Sequence, residues 1–206
     1  SQVSISGTSS DVTTNGLRIY RTVPTFAVTS TGGSLALNSD LYKVTVTNPT
    51  TRDVVLAKMS FNIATTGGAA TGFTLYGDGV AAKSAVTEAP TGTLAITFDN
   101  TSQAKIVPAN SSKTYALRVA SVVDTASVSE TLSINLLADT SFPSQAYLMN
   151  TVSGLSASNI IWSPFSTTTP VADADTITNL DWANGYGLPG FPSNASFSAQ
   201  TWTRAN

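Results

Sequence analysis

The sequence predicts an all-β fold, an antiparallel two-sheet sandwich of Ig-like or jelly-roll type with an aromatic-rich C-terminal loop segment. Three observations predict it. Apolar and polar residues alternate with period two in short runs rich in Val, Ile, Thr and aromatics. No long stretch carries the 3.6-residue period of an amphipathic helix. Polar turn clusters separate the runs at intervals of about 10–15 residues, the spacing of a strand and its connection.

The elements follow in order. Residues 17–28 form a first run that Pro24 interrupts, which marks an edge or a bend. Tyr42, Val44 and Val46 then alternate with Lys43, Thr45 and Thr47. Ala57, Met59, Phe61 and Ile63 share one face, opposite Lys58, Ser60 and Asn62. Residues 73–76 read as a strand. Three further sets are Leu94, Ile96 and Phe98; Tyr115, Leu117 and Val119; and Leu132, Ile134 and Leu136. Turn clusters are expected at 31–34, 48–52, 65–72, 77–79, 90–92 and 108–112. Within them, Asp78-Gly79 reads as a tight turn that needs positive φ. Half-buried strands with polar outer faces imply two sheets packed face to face. The chain therefore divides into an N-terminal arm (1–12), a sandwich (13–140) and an aromatic, Pro-rich segment packed on it (141–206).

Composition removes whole classes of function. The 206 residues contain no histidine and no cysteine, which excludes Ser-His-Asp and Cys-His catalysis, His- or thiolate-bound metals and disulfides. Charged residues make up 11%, against about 25% in an average protein. Ser and Thr together number 59, so hydroxyls rather than ions make the polar surface. The net charge is −2 and no basic stripe exists, so nucleic acid is not an expected partner. No run of apolar residues is long enough to span a membrane. No stretch reads as a secretory leader, and the polar Ser1 is what a processed N-terminus is expected to look like; a cut within a longer chain would look the same.

Candidate sites are few. Asp173, Asp175, Asn179 and Asp181 place three of the 12 acids in one short stretch, and such oxygens suit calcium. An EF-hand loop opened by Asp173 needs Gly at its sixth place and an acid at its twelfth; Thr178 and Asn184 stand there instead. Asp and Asn serving turns is the plainer reading. Calcium is thus a possible ligand and no other cofactor is expected. Lys83 and Ser84 are neighbours on an extended chain and point to opposite faces, so they make no dyad. A glycosidase pair of carboxylates is a lesser alternative, since the acids lie mostly in turns, where exposure is the default. An isopeptide bond needs Lys, Asn and a carboxyl buried together, yet Lys43, Lys58 and Asn135 all fall opposite the apolar sets and are expected to face solvent. Sequons at Asn100, Asn110 and Asn194 are what a Ser/Thr-rich chain produces by chance. Trp162, Trp182 and Trp202 are expected to anchor the C-terminal segment by burial. The competing reading is a row of exposed rings that bind sugars.

Ser1 to Ser10 form the other unusual segment. Val3 and Ile5 alternate with polar residues, but so short and polar a strand needs an edge to hold it, its own sheet's or another molecule's.

Two stretches carry a resemblance. Ile19-Tyr20-Arg21-Thr22-Val23-Pro24-Thr25-Phe26 resembles the start of a β-sandwich module in large secreted surface proteins of candidate-phyla-radiation (patescibacterial) bacteria. Ile160-Ile161-Trp162-Ser163-Pro164 with Asp181-Trp182-Ala183-Asn184-Gly185-Tyr186 resembles the C-terminal signature of the same proteins. The resemblance implies surface exposure and carries no catalytic residues. At fold level, a sandwich with a short alternating arm is similar to donor-strand fibre subunits of the camelysin/TasA-like kind and of chaperone–usher pili. In those, one subunit's arm completes the next subunit's sheet. The expectation is a non-enzymatic, extracellular, cell-surface subunit of a filament, pilus (fimbria) or coat, a homopolymer joined through Val3 and Ile5. The alternatives are an adhesin or carbohydrate-binding module with surface glycans as partners, and a viral capsid or spike sandwich.

Overall fold

The computed structural model describes residues 20, 22–88, 91–124, 129–140, 153–164, 182–192 and 195–204. These residues are all-β, with 3-10 turns at Gln103–Lys105 and Ser153–Leu155 and no α-helix among them. Five strands form the first sheet: β1 (Thr25–Val28), β3 (Tyr42–Asn48), β5 (Gly68–Gly77), β6 (Val80–Ala81) and β9 (Ser111–Asp124), in the order β1-β3-β9-β5-β6, all antiparallel.

The second sheet is built on β4 (Val54–Thr66). On one side β4 pairs with β10 (Glu130–Leu136) and then with β11 (Ile160–Ser163). On its other side lie β7 (Gly92–Thr97) and β8 (Ile106–Val107). Strand β12 (Ala183–Asn184) extends the sheet beyond β11, and β13 (Gln200–Arg204) extends it beyond β10. The two-residue β2 (Gly33–Ser34) runs parallel to β13 and completes it. The sheets pack face to face as a sandwich, as the alternation predicts.

The period-two pattern explains the packing. β3 and β10 alternate buried and half-buried residues along their whole length. Phe26, Tyr42, Val44, Val46, Phe73, Leu75, Tyr115 and Leu117 of the first sheet share one continuous core with Met59, Phe61, Ile63, Leu94, Ile96 and Ile134 of the second. Each of these side chains contributes roughly 1.5–3 kcal/mol by leaving water. β4 departs from the pattern: Val54 to Ala57 are buried on both faces. There the register against β11 slips, with Ile161 opposite Lys58 and Trp162 opposite Leu56, so Ala57 is the extra residue of a β-bulge.

Two expectations are corrected. The cluster 65–72 is not a turn. β4 and β5 run through it and only Gly67, at φ 78°, separates them as the chain passes from one sheet to the other. The glycines there serve close packing instead. A Cβ on Gly68 would lie 2.7 Å from the Val123 carbonyl oxygen, and one on Gly72 would lie 2.8 Å from the Ala120 Cβ. The run 17–28 yields a strand only after Pro24, at Thr25–Val28. Tyr20 and residues 22–24 are not strand, and residues 17–19 and 21 lie outside the described residues. Asp78 and Gly79 do form the β5–β6 turn with positive φ, 48° and 83°.

Candidate functional site

Two features stand out: a joint that fastens the C-terminal segment, and an open sheet edge. The joint is built from residues 160–163 and 182–186, whose strands β11 and β12 pair with each other. Ile161 stands opposite Asn184 and Trp162 opposite Ala183. Trp162, 1% exposed, donates its indole N–H to the Asn184 carbonyl at 2.9 Å, and its ring lies 5.0 Å from Tyr20. Beneath the pair sits Asp139, 6% exposed, three residues after the end of β10. Its Oδ1 accepts the main-chain N–H of Asn159 (2.6 Å); its Oδ2 accepts those of Ile160 (2.9 Å) and Gly185 (2.8 Å). A carboxylate that accepts several N–H groups from two segments fixes both at once. Gly185 admits this approach, since a Cβ there would lie 2.7 Å from the Ile160 Cβ and 3.0 Å from Asp139 Oδ2. Sequence reasoning missed Asp139: a lone acid after a strand looks like any solvated turn residue.

Lys58 lies half-buried on the outer face, as the alternation predicts, and its ammonium donates to the Ser156 carbonyl at 2.7 Å in an exposed contact. Burial lowers its pKa from the ordinary lysine value, and Asp139 partly opposes that shift. Lys43 pairs with Asp40 at 3.4 Å, and Asn135 accepts from Asn62 at 3.3 Å. The outer faces are therefore more tightly bonded than alternation implies.

Trp162, Trp182 and Trp202 are 1%, 0% and 4% exposed, so none presents a ring for a sugar. Trp202 packs edge-on against Tyr42 at 6.4 Å from β13, which a part-buried ion pair also holds: Glu130, 1% exposed, accepts from both Nε and Nη2 of the half-exposed Arg204. Val3, Ile5, Asp173, Asp175, Asn179 and Asp181 lie outside the described residues. Among the described residues no three acidic groups cluster as a metal site, and no helix is long and apolar enough to cross a membrane.

The open edge is β7. Phe98 N–H donates to the Ala57 carbonyl at 2.9 Å, so the alternate residues Ile96, Leu94 and Gly92 also turn their main-chain groups toward β4. Thr93, Ala95 and Thr97 must then turn theirs away, and all three are exposed. At one end Asp99, next in that outward set, donates to the Ala82 carbonyl at 2.8 Å. Short of it, no described residue covers the edge. The stretch Thr91–Thr97 contains no charge and no proline, the devices that usually blunt an edge. Leu94 and Ile96 are 1% exposed, so the core behind this edge is complete.

No protein-family model and no curated protein matches the chain. Among solved structures, the pilus backbone protein RrgB from Streptococcus pneumoniae shows a weak likeness, with 13% identity and a TM-score of 0.31 over 90% of this chain. The match covers 51% of that protein, so this chain spans about half its length. A likeness at that score says nothing of what this chain does.

Proposed function

We propose that this chain is a structural, non-catalytic subunit of an extracellular filament, pilus or surface coat, assembling with copies of itself at the cell surface by β-strand complementation. The uncharged edge of β7, which no described residue covers between Thr93 and Thr97, carries this reading. A soluble monomer normally blunts such an edge, because unpaired N–H and C=O rows recruit another strand. Because the core is complete, the incoming strand adds to a sheet rather than replacing a missing core strand, and main-chain bonds supply most of the contact. The alternating segment around Val3 and Ile5 is the donor. Low charge suits the assembly, since few ions need desolvating where subunits meet. The buried tryptophans favour this reading over a sugar-binding module. Negative-stain electron microscopy of the purified chain tests it: filaments or sheets are expected, and a chain lacking residues 1–10 is expected to stay monomeric by light scattering. Equal polymerisation of the shortened chain would sink the donor role.

A further inference from the structure

We infer that the outer edge of β7 is the acceptor, and that its occupant is residues 2–6 of a second copy, antiparallel, with Ser4 opposite Ala95. This rests on the strand-complementation reading above and adds the place and register. The edge offers six main-chain groups, the N–H and C=O of Thr93, Ala95 and Thr97. Their side chains point to the outer face, while Leu94 and Ile96 point into the core. An added strand must match both properties, apolar residues beside Leu94 and Ile96 and polar ones beside the three exposed positions.

The segment Gln2-Val3-Ser4-Ile5-Ser6 matches in one register. With Ser4 opposite Ala95, Gln2 faces Thr97 and Ser6 faces Thr93, so all six main-chain groups are bonded. Val3 then stands opposite Ile96 and Ile5 opposite Leu94, both directed inward. Gly7 falls opposite Gly92, where the strand ends. A slip of one residue would turn Val3 and Ile5 to the outer face. A slip of two would carry Val3 or Ile5 past Leu94 and Ile96. The other sheet edges suit the segment less well. β2, β6, β8 and β12 have two residues each, and β1 is covered: Phe26 N–H donates to the Pro189 carbonyl at 2.9 Å.

The natural absence of cysteine makes a clean test possible. Directly opposed residues in an antiparallel pair lie within the Cα distance a disulfide accepts. The full-length chain carrying Ser4→Cys and Ala95→Cys, assembled and mildly oxidised, should give a thiol-sensitive ladder of covalent oligomers on a non-reducing gel. Ser4→Cys with Thr93→Cys should give several-fold less. Equal ladders from both pairs would overturn the register. A cross-link confined to monomers would overturn the second copy as donor. Covalent dimers from Ala95→Cys alone, at the yield of the double variant, would show β7 pairing with another β7 and overturn the arm as occupant. Filaments in the microscope without a ladder would overturn the β7 edge and leave the filament reading intact. A monomer with neither filaments nor ladder would overturn both.

Discussion

Strands β1 and β7 are both edge strands, one in each sheet, and the chain treats them in opposite ways. β1 follows Pro24, and its free side is closed by residues 189–191: Phe26 bonds to Pro189, Phe191 packs on Phe26 with ring centroids 5.2 Å apart, and Gly190 lies against the Phe26 main chain. β7 has no proline, no charge and no described cover between Thr93 and Thr97. The cover of β1 comes from the aromatic C-terminal segment, which the Trp162 and Asp139 joint holds in place just upstream. An edge that is closed needs a dedicated segment with its own anchors. An edge that stays open despite that capacity is where a partner strand is expected.

Breaking the anchor should have the largest effect. Trp162→Ala removes a fully buried indole and the bond to Asn184, and is expected to cost about 3–5 kcal/mol, read as a lower urea midpoint. The Phe26 amide should lose hydrogen-exchange protection in the same variant, because the cover of β1 loosens with its anchor. Wild-type protection there would separate the joint from the edge.

Gly190→Ala attacks the closed edge directly. Gly190 has φ 96°, and a Cβ there would lie 1.8 Å from the Phe26 carbonyl oxygen. Backbone strain and the clash together are expected to cost about 3 kcal/mol in chemical denaturation. A neutral result would mean that the loop moves away freely and that β1 does not depend on it.

Alkali should weaken the core between the two edges. Burial pushes the Tyr42 phenol up to about 12, although its oxygen accepts the Leu136 N–H, and burial raises the Tyr115 phenol as well. An unfolded tyrosine ionises near pH 10, so above about 10 the unfolded chain has released protons that the folded chain still holds. Stability is therefore full below about pH 10 and falls as the pH rises toward about 12. Urea midpoints measured across that window should fall, less steeply for Tyr42→Phe. The edge variants should shift the whole profile without changing its slope.

The smallest effect on the monomer is expected at the open edge. Ala95→Lys adds a charge to an exposed side chain and should change monomer stability by no more than about 0.5 kcal/mol. The same variant should abolish assembly, seen by light scattering, since a lysine blunts an edge. Assembly at the wild-type level would place the contact elsewhere.

Alternation along the chain by itself determined the strands and their inward faces. Tyr42, Val44 and Val46, or Leu132, Ile134 and Leu136, can point only one way once the backbone is extended, because the side-chain period is two. The lack of any 3.6-residue period likewise accounts for the absence of a long helix among the described residues. Tertiary structure decided the rest, because it depends on contacts distant in sequence. Residues 65–72 look like a turn until β9 lies against their glycines. Asp139 looks like a solvated acid until Ile160 and Gly185, 21 and 46 residues away, bring it their N–H groups. Leu94 and Ile96 mark β7 as a strand by their spacing alone. That no described strand pairs with the second side of β7 follows from where the chain spent its other described strands, and no local pattern encodes that.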